Sequence, residues 1–279
     1  MKVFAFPGYE RFGGISASPF HAGRFPNGEW HIELDEDVAG ESCRIIGSVS
    51  PPDEQLLLTT LLADTLKNQG AKRIEGLFPY LAYCRQDKVR PKESLSSSWL
   101  GGVLRASGIE SVTTFDIHSA SAAELLGMPV RSLSPAPLLA DFISREVGGR
   151  FTLVSPDRGA IRRCEAVRDA LGLSEPISFL IKKRTEQGIV AELQGETRER
   201  AIIVDDILDT GATLVACARE LRKAGAQEMF VLATHGLFTG EKWRELWDLG
   251  VVRICCSDSV LGSIPSDPRI CVLKAAALL

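Results

Sequence analysis

Ten consecutive residues, Val204-Asp205-Asp206-Ile207-Leu208-Asp209-Thr210-Gly211-Ala212-Thr213, combine the groups needed to hold a phosphorylated sugar. An apolar run from Ala201 to Val204 ends in two acids. A Thr-Gly-Ala-Thr turn follows, and then a helical pattern with Leu214, Ala218 and Leu221 on one face, closing at Gly225. Backbone N–H groups and hydroxyls at a helix N-terminus suit a phosphate. Carboxylates just upstream can accept hydrogen bonds from sugar hydroxyls. An isolated Asp209 or Thr210 would read as a helix cap, but the ten-residue string is far more specific than a cap.

Other clusters carry weaker signals. Lys182-Lys183-Arg184 follows the apolar run Ile177 to Ile181 and, on composition alone, reads as a solvated loop. In Phe115-Asp116-Ile117-His118-Ser119 an acid and an imidazole stand at the end of a β-type run, where a histidine is first taken as a core or capping residue. Asp157, in Ser155-Pro156-Asp157, is as readily a turn residue as a functional one. Arg85 and Gln86 have the donors to reach phosphate and base. Phe25 offers a stacking face beside Asn27 and Glu29, and Gly28 permits close backbone approach. No G-x-x-x-x-G-K-[ST] string occurs, so a P-loop is excluded, and the glycine-rich stretch from Gly8 to Gly14 has no cofactor signature.

The elements that must position these groups follow one grammar: a short β-branched run, a small-residue or acidic turn, then a helical pattern. It recurs at Cys43 to Ile46 before the Leu-rich segment Gln55 to Asn68, at Phe151 to Val154 before Ile161 to Leu171, and at Ala201 to Val204. Arg73 to Phe78 reads as a further strand. Such alternation predicts parallel α/β sheets with functional groups at the carboxyl ends of the strands. The 279 residues suffice for two sheets. The Pro/Ser-rich stretch from Ser132 to Pro137 places the join, giving domains 1–137 and 138–279, with the last apolar run, Arg269 to Leu273, as a strand able to cross back to the first domain.

Composition excludes several classes. With 45% hydrophobic and 24% charged residues, the chain is neither disordered nor fibrous. The 32 basic and 36 acidic residues give a net charge of −4 and no general nucleic-acid-binding field. No apolar stretch approaches the roughly 20 residues of a membrane helix. The seven cysteines are odd in number and form no C-x-x-C pair, which favours reduced core thiols over zinc or disulfide sites. The expected setting is cytoplasmic, with no nucleic-acid or membrane partner.

The string around Asp205 resembles the phosphoribosyl-binding loop shared by phosphoribosyltransferases and ribose-phosphate diphosphokinase (PRPP synthetase). Further segments are similar to the diphosphokinase family in particular, and in its order. Arg24 to Glu29 resembles its adenine-binding segment, Pro79 to Lys88 its second ATP-contacting segment, Phe115 to Ser119 its metal-binding strand end and Ser155 to Asp157 its other metal position. Ala233-Thr234-His235-Gly236-Leu237-Phe238 is also family-like. The resemblance implies an α/β fold of two phosphoribosyltransferase-like domains, each a mainly parallel sheet flanked by helices. It also implies transfer of the β,γ-diphosphoryl group of ATP to the C1 hydroxyl of ribose 5-phosphate, giving PRPP and AMP with Mg²⁺.

Carried over residue by residue, the resemblance implies Lys182 and Arg184 as the transition-state cations, in a Lys-x-Arg register. It implies Phe25, Asn27, Gly28, Glu29, Arg85 and Gln86 for ATP. Arg184, Asp205, Asp206, Asp209, Thr210, Gly211, Ala212 and Thr213 would serve ribose 5-phosphate, and His118 and Asp157 the metal. The adenine segment is lent by a neighbouring subunit in that family, so a homo-oligomer is expected. The run from Val89 to Trp99 is shorter than in the widespread form and closer to the compact archaeal one, which bears on phosphate and ADP regulation. Two other readings remain: a non-catalytic regulatory subunit, against which the intact charges argue, and a phosphoribosyltransferase consuming PRPP, against which the two ATP segments argue.

Overall fold

A computed structural model describes residues 1–12, 17–185 and 188–279, without the side chains of 182–191. The chain divides into two compact units, 1–133 and 134–278.

The first unit is built on strands β1 (Lys2–Ala5), β4 (Ser42–Ile46), β5 (Arg73–Leu77), β6 (Ser111–Phe115) and β7 (Val130–Leu133), in spatial order β1-β4-β5-β6-β7 and parallel throughout. Helices α1 (Glu54–Asn68), α2 (Ser96–Ala106) and α3 (Ala120–Leu125) link them. A separate antiparallel hairpin is formed by β2 (Phe20–Arg24) and β3 (Trp30–Leu34). The α1 face that carries Leu58, Leu62 and Leu66 is buried, at the spacing that puts side chains on one side of a helix. Gly101 in α2 packs so closely on the Leu126 carbonyl that a Cβ there would lie 2.0 Å from its oxygen.

The second unit begins with α4 (Ala136–Phe142) and holds a seven-stranded sheet. Its strands are β8 (Thr152–Ser155), β9 (Ser178–Thr185), β10 (Gly188–Gln194), β11 (Arg200–Leu208), β12 (Glu228–Gly236), β13 (Val251–Ser257) and β14 (Ile270–Leu273), in spatial order β10-β9-β8-β11-β12-β13-β14. Every pairing is parallel except β9 with β10. Helices α5 (Ile161–Ala170), α6 (Ala212–Lys223) and α7 (Glu245–Asp248) complete the unit. The continuous apolar run of β11 is explained by burial on both faces. Ala201 and Ile203 pack with α6 in one core, whereas Ile202 and Val204 pack with α4 and α5 in the other.

Two details differ from the sequence reading. The units part at Leu133/Ser134 rather than after Pro137, because Ser134 to Pro137 leads straight into α4 instead of forming a linker: Pro137 sits in its first turn, and the Ser134 hydroxyl accepts from the Ala136 N–H at 3.3 Å. The last strand does not return to the first unit. It lies parallel to β13, with Ile254, Cys255 and Cys256 opposite Ile270, Cys271 and Val272. The Ala275 N–H then bonds Asp258 Oδ1 at 2.8 Å, which ties the segment after β14 to the same unit. Among the described residues, no helix is long and apolar enough to cross a membrane.

Candidate active site

The carboxyl end of β11 carries the acids and the phosphate turn. Gly211 caps α6 with φ +81°, a backbone conformation that L side chains rarely adopt. A Cβ on Gly211 would also meet Trp243, lying 2.6 Å from its Cα. Trp243 is buried and packs edge-on against Phe238, so it is a fixed floor beneath the turn. Ala212 has no positive φ, so its methyl is accommodated without strain. The first N–H groups of α6 have no helical acceptor and face the turn as donors. Among the described residues, that of Ala212 makes only a long contact, 3.4 Å, to Thr210 Oγ1.

Asp205 and Asp206 form a tightly linked acid pair: the Asp206 N–H donates to Asp205 Oδ1 at 2.9 Å. Arg163 of α5 stands 3.9 Å from Asp206, with both side chains only about a tenth exposed. Burial pushes the Asp205 carboxyl well above the usual carboxylate range. The charge of Asp206 and its hydrogen bond add to that shift, Arg163 opposes it, and Asp157 reinforces it weakly. Asp205, Asp206, Asp157 and Arg163 thus belong to one electrostatic group. Arg163 was not singled out in the sequence, since its partner is 43 residues away on another element and no local pattern marks it.

An acid with a raised folded-state pKa keeps its proton longer in the folded chain than in the unfolded one, so stability falls as pH rises from about 4 through the raised value. Asp205→Asn removes the buried charge while keeping the Oδ1 acceptor. Its melting temperature at pH 7.5 should therefore exceed that of the wild type, with the gap closing towards pH 4. A lower melting temperature at pH 7.5 would contradict this account.

Asp157 lies just beyond β8. Its Oδ1 accepts from the N–H groups of Gly159 (2.8 Å) and Ala160 (3.2 Å), and its carbonyl accepts from the Ser155 hydroxyl at 2.5 Å. Among the described residues Oδ2 takes no hydrogen bond, so it is available to a cation. No group of three or more His, Cys, Asp or Glu that could hold a metal occurs among the described residues. This donor set suits a hard cation that keeps waters and arrives with phosphate oxygens, rather than one caged by protein.

In the first unit, Asp116 adopts φ +41° at the end of β6, held by its N–H to the Leu133 carbonyl (2.9 Å) and by the Ile117 N–H to Ser132 Oγ (2.9 Å). The exposed His118 follows. Ser119 caps α3, accepting from the Ala122 N–H at 3.0 Å, and donates to Asp87 Oδ2 at 2.5 Å. The structure therefore brings the Arg85–Gln86 segment to the strand end that carries His118. Gln86 is itself fixed: its Oε1 accepts from Ser94 and Ser96, and its carbonyl from Ser97. Its side-chain acceptor is thus committed to the start of α2, and both Arg85 and Gln86 are exposed.

Phe25, Asn27, Gly28 and Glu29 form the turn of the β2–β3 hairpin. Phe25 and Glu29 are bonded through the Phe25 N–H at 2.8 Å, Gly28 takes φ +89°, and Asn27 Nδ2 bonds Glu29 at 2.8 Å. The Phe25 ring stacks on His31 at 4.7 Å yet remains 50% exposed. Arg24 lies over the Trp30 ring at 4.0 Å and bonds the Gly28 carbonyl, which stiffens the hairpin.

Lys182 and Arg184 lie on β9, opposite Ala191 and Ile189 of β10. Their side chains fall outside the described residues. By the two-residue period of a strand, positions 182 and 184 share one face and 183 takes the other. Beyond Ser178 and Phe179, which pair with β8, β9 pairs among the described residues with β10 alone.

Two α/β units, one ending a strand in paired acids and a small-residue turn that opens a helix, define an α/β protein of parallel sheets flanked by helices. Residues 10–108 match the family model described as the N-terminal domain of ribose phosphate pyrophosphokinase, and residues 160–267 that of the phosphoribosyl synthetase-associated domain. The chain is 31% identical over 246 residues to a ribose-phosphate pyrophosphokinase of Ralstonia nicotianae, covering 85% of this chain and 77% of that one. It is 29% identical over 276 residues to one of Corynebacterium efficiens, covering 95% and 84%. The crystal structure of phosphoribosylpyrophosphate synthetase from Mycobacterium smegmatis is similar with a TM-score of 0.87 and 27% identity, over 99% of this chain and 95% of that one. The chain belongs to the ribose-phosphate pyrophosphokinase family, and its units are of the phosphoribosyltransferase-like kind expected from the sequence.

Proposed function

We propose that the protein is an active ribose-phosphate diphosphokinase, joining the β,γ-diphosphoryl group of ATP to the C1 oxygen of ribose 5-phosphate and releasing AMP. The observation that carries this reading is the β11–α6 turn. Its helix N-terminus, opened by Gly211 over Trp243, takes the 5-phosphate, with Thr210, Ala212 and Thr213 around it. Asp205, Asp206 and Asp209 stand beside the sugar hydroxyls as acceptors.

Phosphoryl-type transfers demand positioning and charge stabilisation more than covalent help. Lys182 and Arg184, on one face of β9, supply cations to the group in flight. Arg85 and Gln86 hold the nucleotide, with Phe25, Asn27, Gly28 and Glu29 at the adenine. The exposure of the Phe25 turn supports its being lent to a neighbouring subunit in a homo-oligomer. Mg²⁺ arriving with phosphate oxygens would screen the phosphorylated substrates; Asp157 is a candidate contact for it in the second unit, as the exposed His118 is in the first. Among the described residues Asp157 Oδ2 takes no hydrogen bond, which supports that role.

The test is chromatographic measurement of AMP release from ATP and Mg²⁺, with and without ribose 5-phosphate. AMP formed only with the sugar, matched by a diphosphorylated ribose, is the expected result. Absence of AMP from folded, ATP-binding protein would overturn the proposal in favour of a regulatory subunit.

A further inference from the structure

The second unit contains a cavity of about 730 Å³ that none of the chemistry above uses. It lies at the amino ends of β8, β9 and β11, lined by Phe151 and Thr152, by Ile177 and Ser178, and by Thr197 and Arg198. The phosphate turn and the acid pair stand at the opposite, carboxyl end of the same sheet. The volume is that of a small-molecule site.

The lining has two chemistries. Phe151, Leu153, Leu173 and Ile177 provide apolar surface, and Arg150, Arg168 and Arg198 bring three guanidinium groups. Arg168 is engaged by Asp169 Oδ1 through two hydrogen bonds of 2.9 and 2.8 Å. Among the described residues, the guanidinium groups of Arg150 and Arg198 have no hydrogen-bond or ion-pair partner. Glu175 and Glu196 add acceptors. The rim is built rather than incidental. Arg200, paired with Glu228, donates to the carbonyls of Val147 and Gly148 at 3.0 and 3.1 Å, and so fixes the turn that delivers Gly149 and Arg150. The Arg198 N–H bonds Thr152 Oγ1 at 3.0 Å, which joins the two walls.

The same walls are the root of the β9–β10 ribbon. Ser178 opens β9, and its hydroxyl bonds the Glu196 carbonyl at 2.5 Å, just past the end of β10. Gly195 is pressed so closely on Ser178 that a Cβ would lie 2.6 Å from its Oγ. A ligand in the cavity therefore touches both legs of the ribbon on which Lys182 and Arg184 stand.

The geometry points to a second ligand site in this cavity, for a small aromatic anion: the anionic group between Arg150 and Arg198, the flat body on Phe151, Leu173 and Ile177, and an effect on turnover through the ribbon root. The turnover effect rests on the diphosphokinase reading; the site itself does not. The probe is 8-anilinonaphthalene-1-sulfonate, an aromatic sulfonate, titrated by calorimetry into the full-length protein with and without saturating ATP and ribose 5-phosphate, with hydrogen exchange to locate it. Expected are one site per chain that the substrates do not displace, protection at 149–153, 173–178 and 195–198, and a change in kcat of twofold or more at unchanged KM for ATP. The Arg150→Glu/Arg198→Glu variant should fold with an unchanged Tm and bind tenfold or more weakly. Displacement by ATP, protection confined to 205–213, or undiminished binding by the charge-reversed variant would overturn the site. Binding with this footprint in a protein that makes no AMP would uphold the site and defeat only the diphosphokinase reading.

Discussion

Lys182→Ala should lower kcat on the order of 10²-fold or more, with little change in the KM for ATP, because a cation in the proposed role meets charge developing in transfer and contributes to the transition state and not to the ground state. Position 182 faces Ala191 across the ribbon, so truncation to alanine in a pairing with β10 leaves the backbone ladder in place. Lys183→Ala is the internal control. It lies one residue away on the other face of β9, and its turnover should stay within about threefold of the wild type, well short of the loss expected at a transition-state cation. Steady-state AMP formation by both variants decides the matter. Equal losses at 182 and 183 would mean that the ribbon's general charge, and not a Lys-x-Arg face, is what the reaction uses.

Gly211→Ala has the second large effect, and on a different quantity. The residue adopts φ +81°, and the added Cβ would lie 2.6 Å from Trp243 Cα and 2.7 Å from its Cβ, so backbone must move. The left-handed conformation costs an L residue roughly 1–2 kcal/mol, and overpacking against a fixed neighbour adds about 1–3 kcal/mol. For a unit of this size that corresponds to a melting-temperature drop on the order of 5–15 °C. Displacing the start of α6 also disturbs the proposed phosphate site, so the KM for ribose 5-phosphate should rise tenfold or more while that for ATP moves little. Calorimetry and steady-state kinetics test the two parts. A variant with normal Tm and normal sugar-phosphate KM would show that the turn is not the phosphate site.

How much of this was legible in the sequence follows from the range of the interactions involved. The β11 strand, its acids and the turn into α6 are local: an apolar run, two carboxylates and a small-residue turn occupy adjacent positions, so the pattern states the structure. Lys182-Lys183-Arg184, by contrast, reads on composition alone as a solvated loop, and the structure places it on β9. Arg163 beside Asp206 and Trp243 beneath Gly211 are not local, for each pairing joins elements tens of residues apart, and neither residue type is unusual on its own helix. The join was placed four residues late because Ser and Pro open a helix as readily as they fill a linker. The last strand was free to be assigned to either sheet, since an apolar run of Ile270 to Leu273 carries no mark of its neighbour. Only the register with β13 decides it.

The sheet of the second unit offers a lesson in division of labour. β11 is held between two cores, whereas β10 is an edge strand, and its ribbon with β9 is secured at the base where Leu180 faces Leu193. The part proposed to grip the sugar phosphate is thus welded into the hydrophobic interior, and the part proposed to carry the cations is built on an edge ribbon. An engineer can treat residues 181–192 as a cartridge: exchanged for the ribbon of a relative, it should alter how fast the group moves while leaving the turn from Asp205 to Thr213 and the fold of the unit in place.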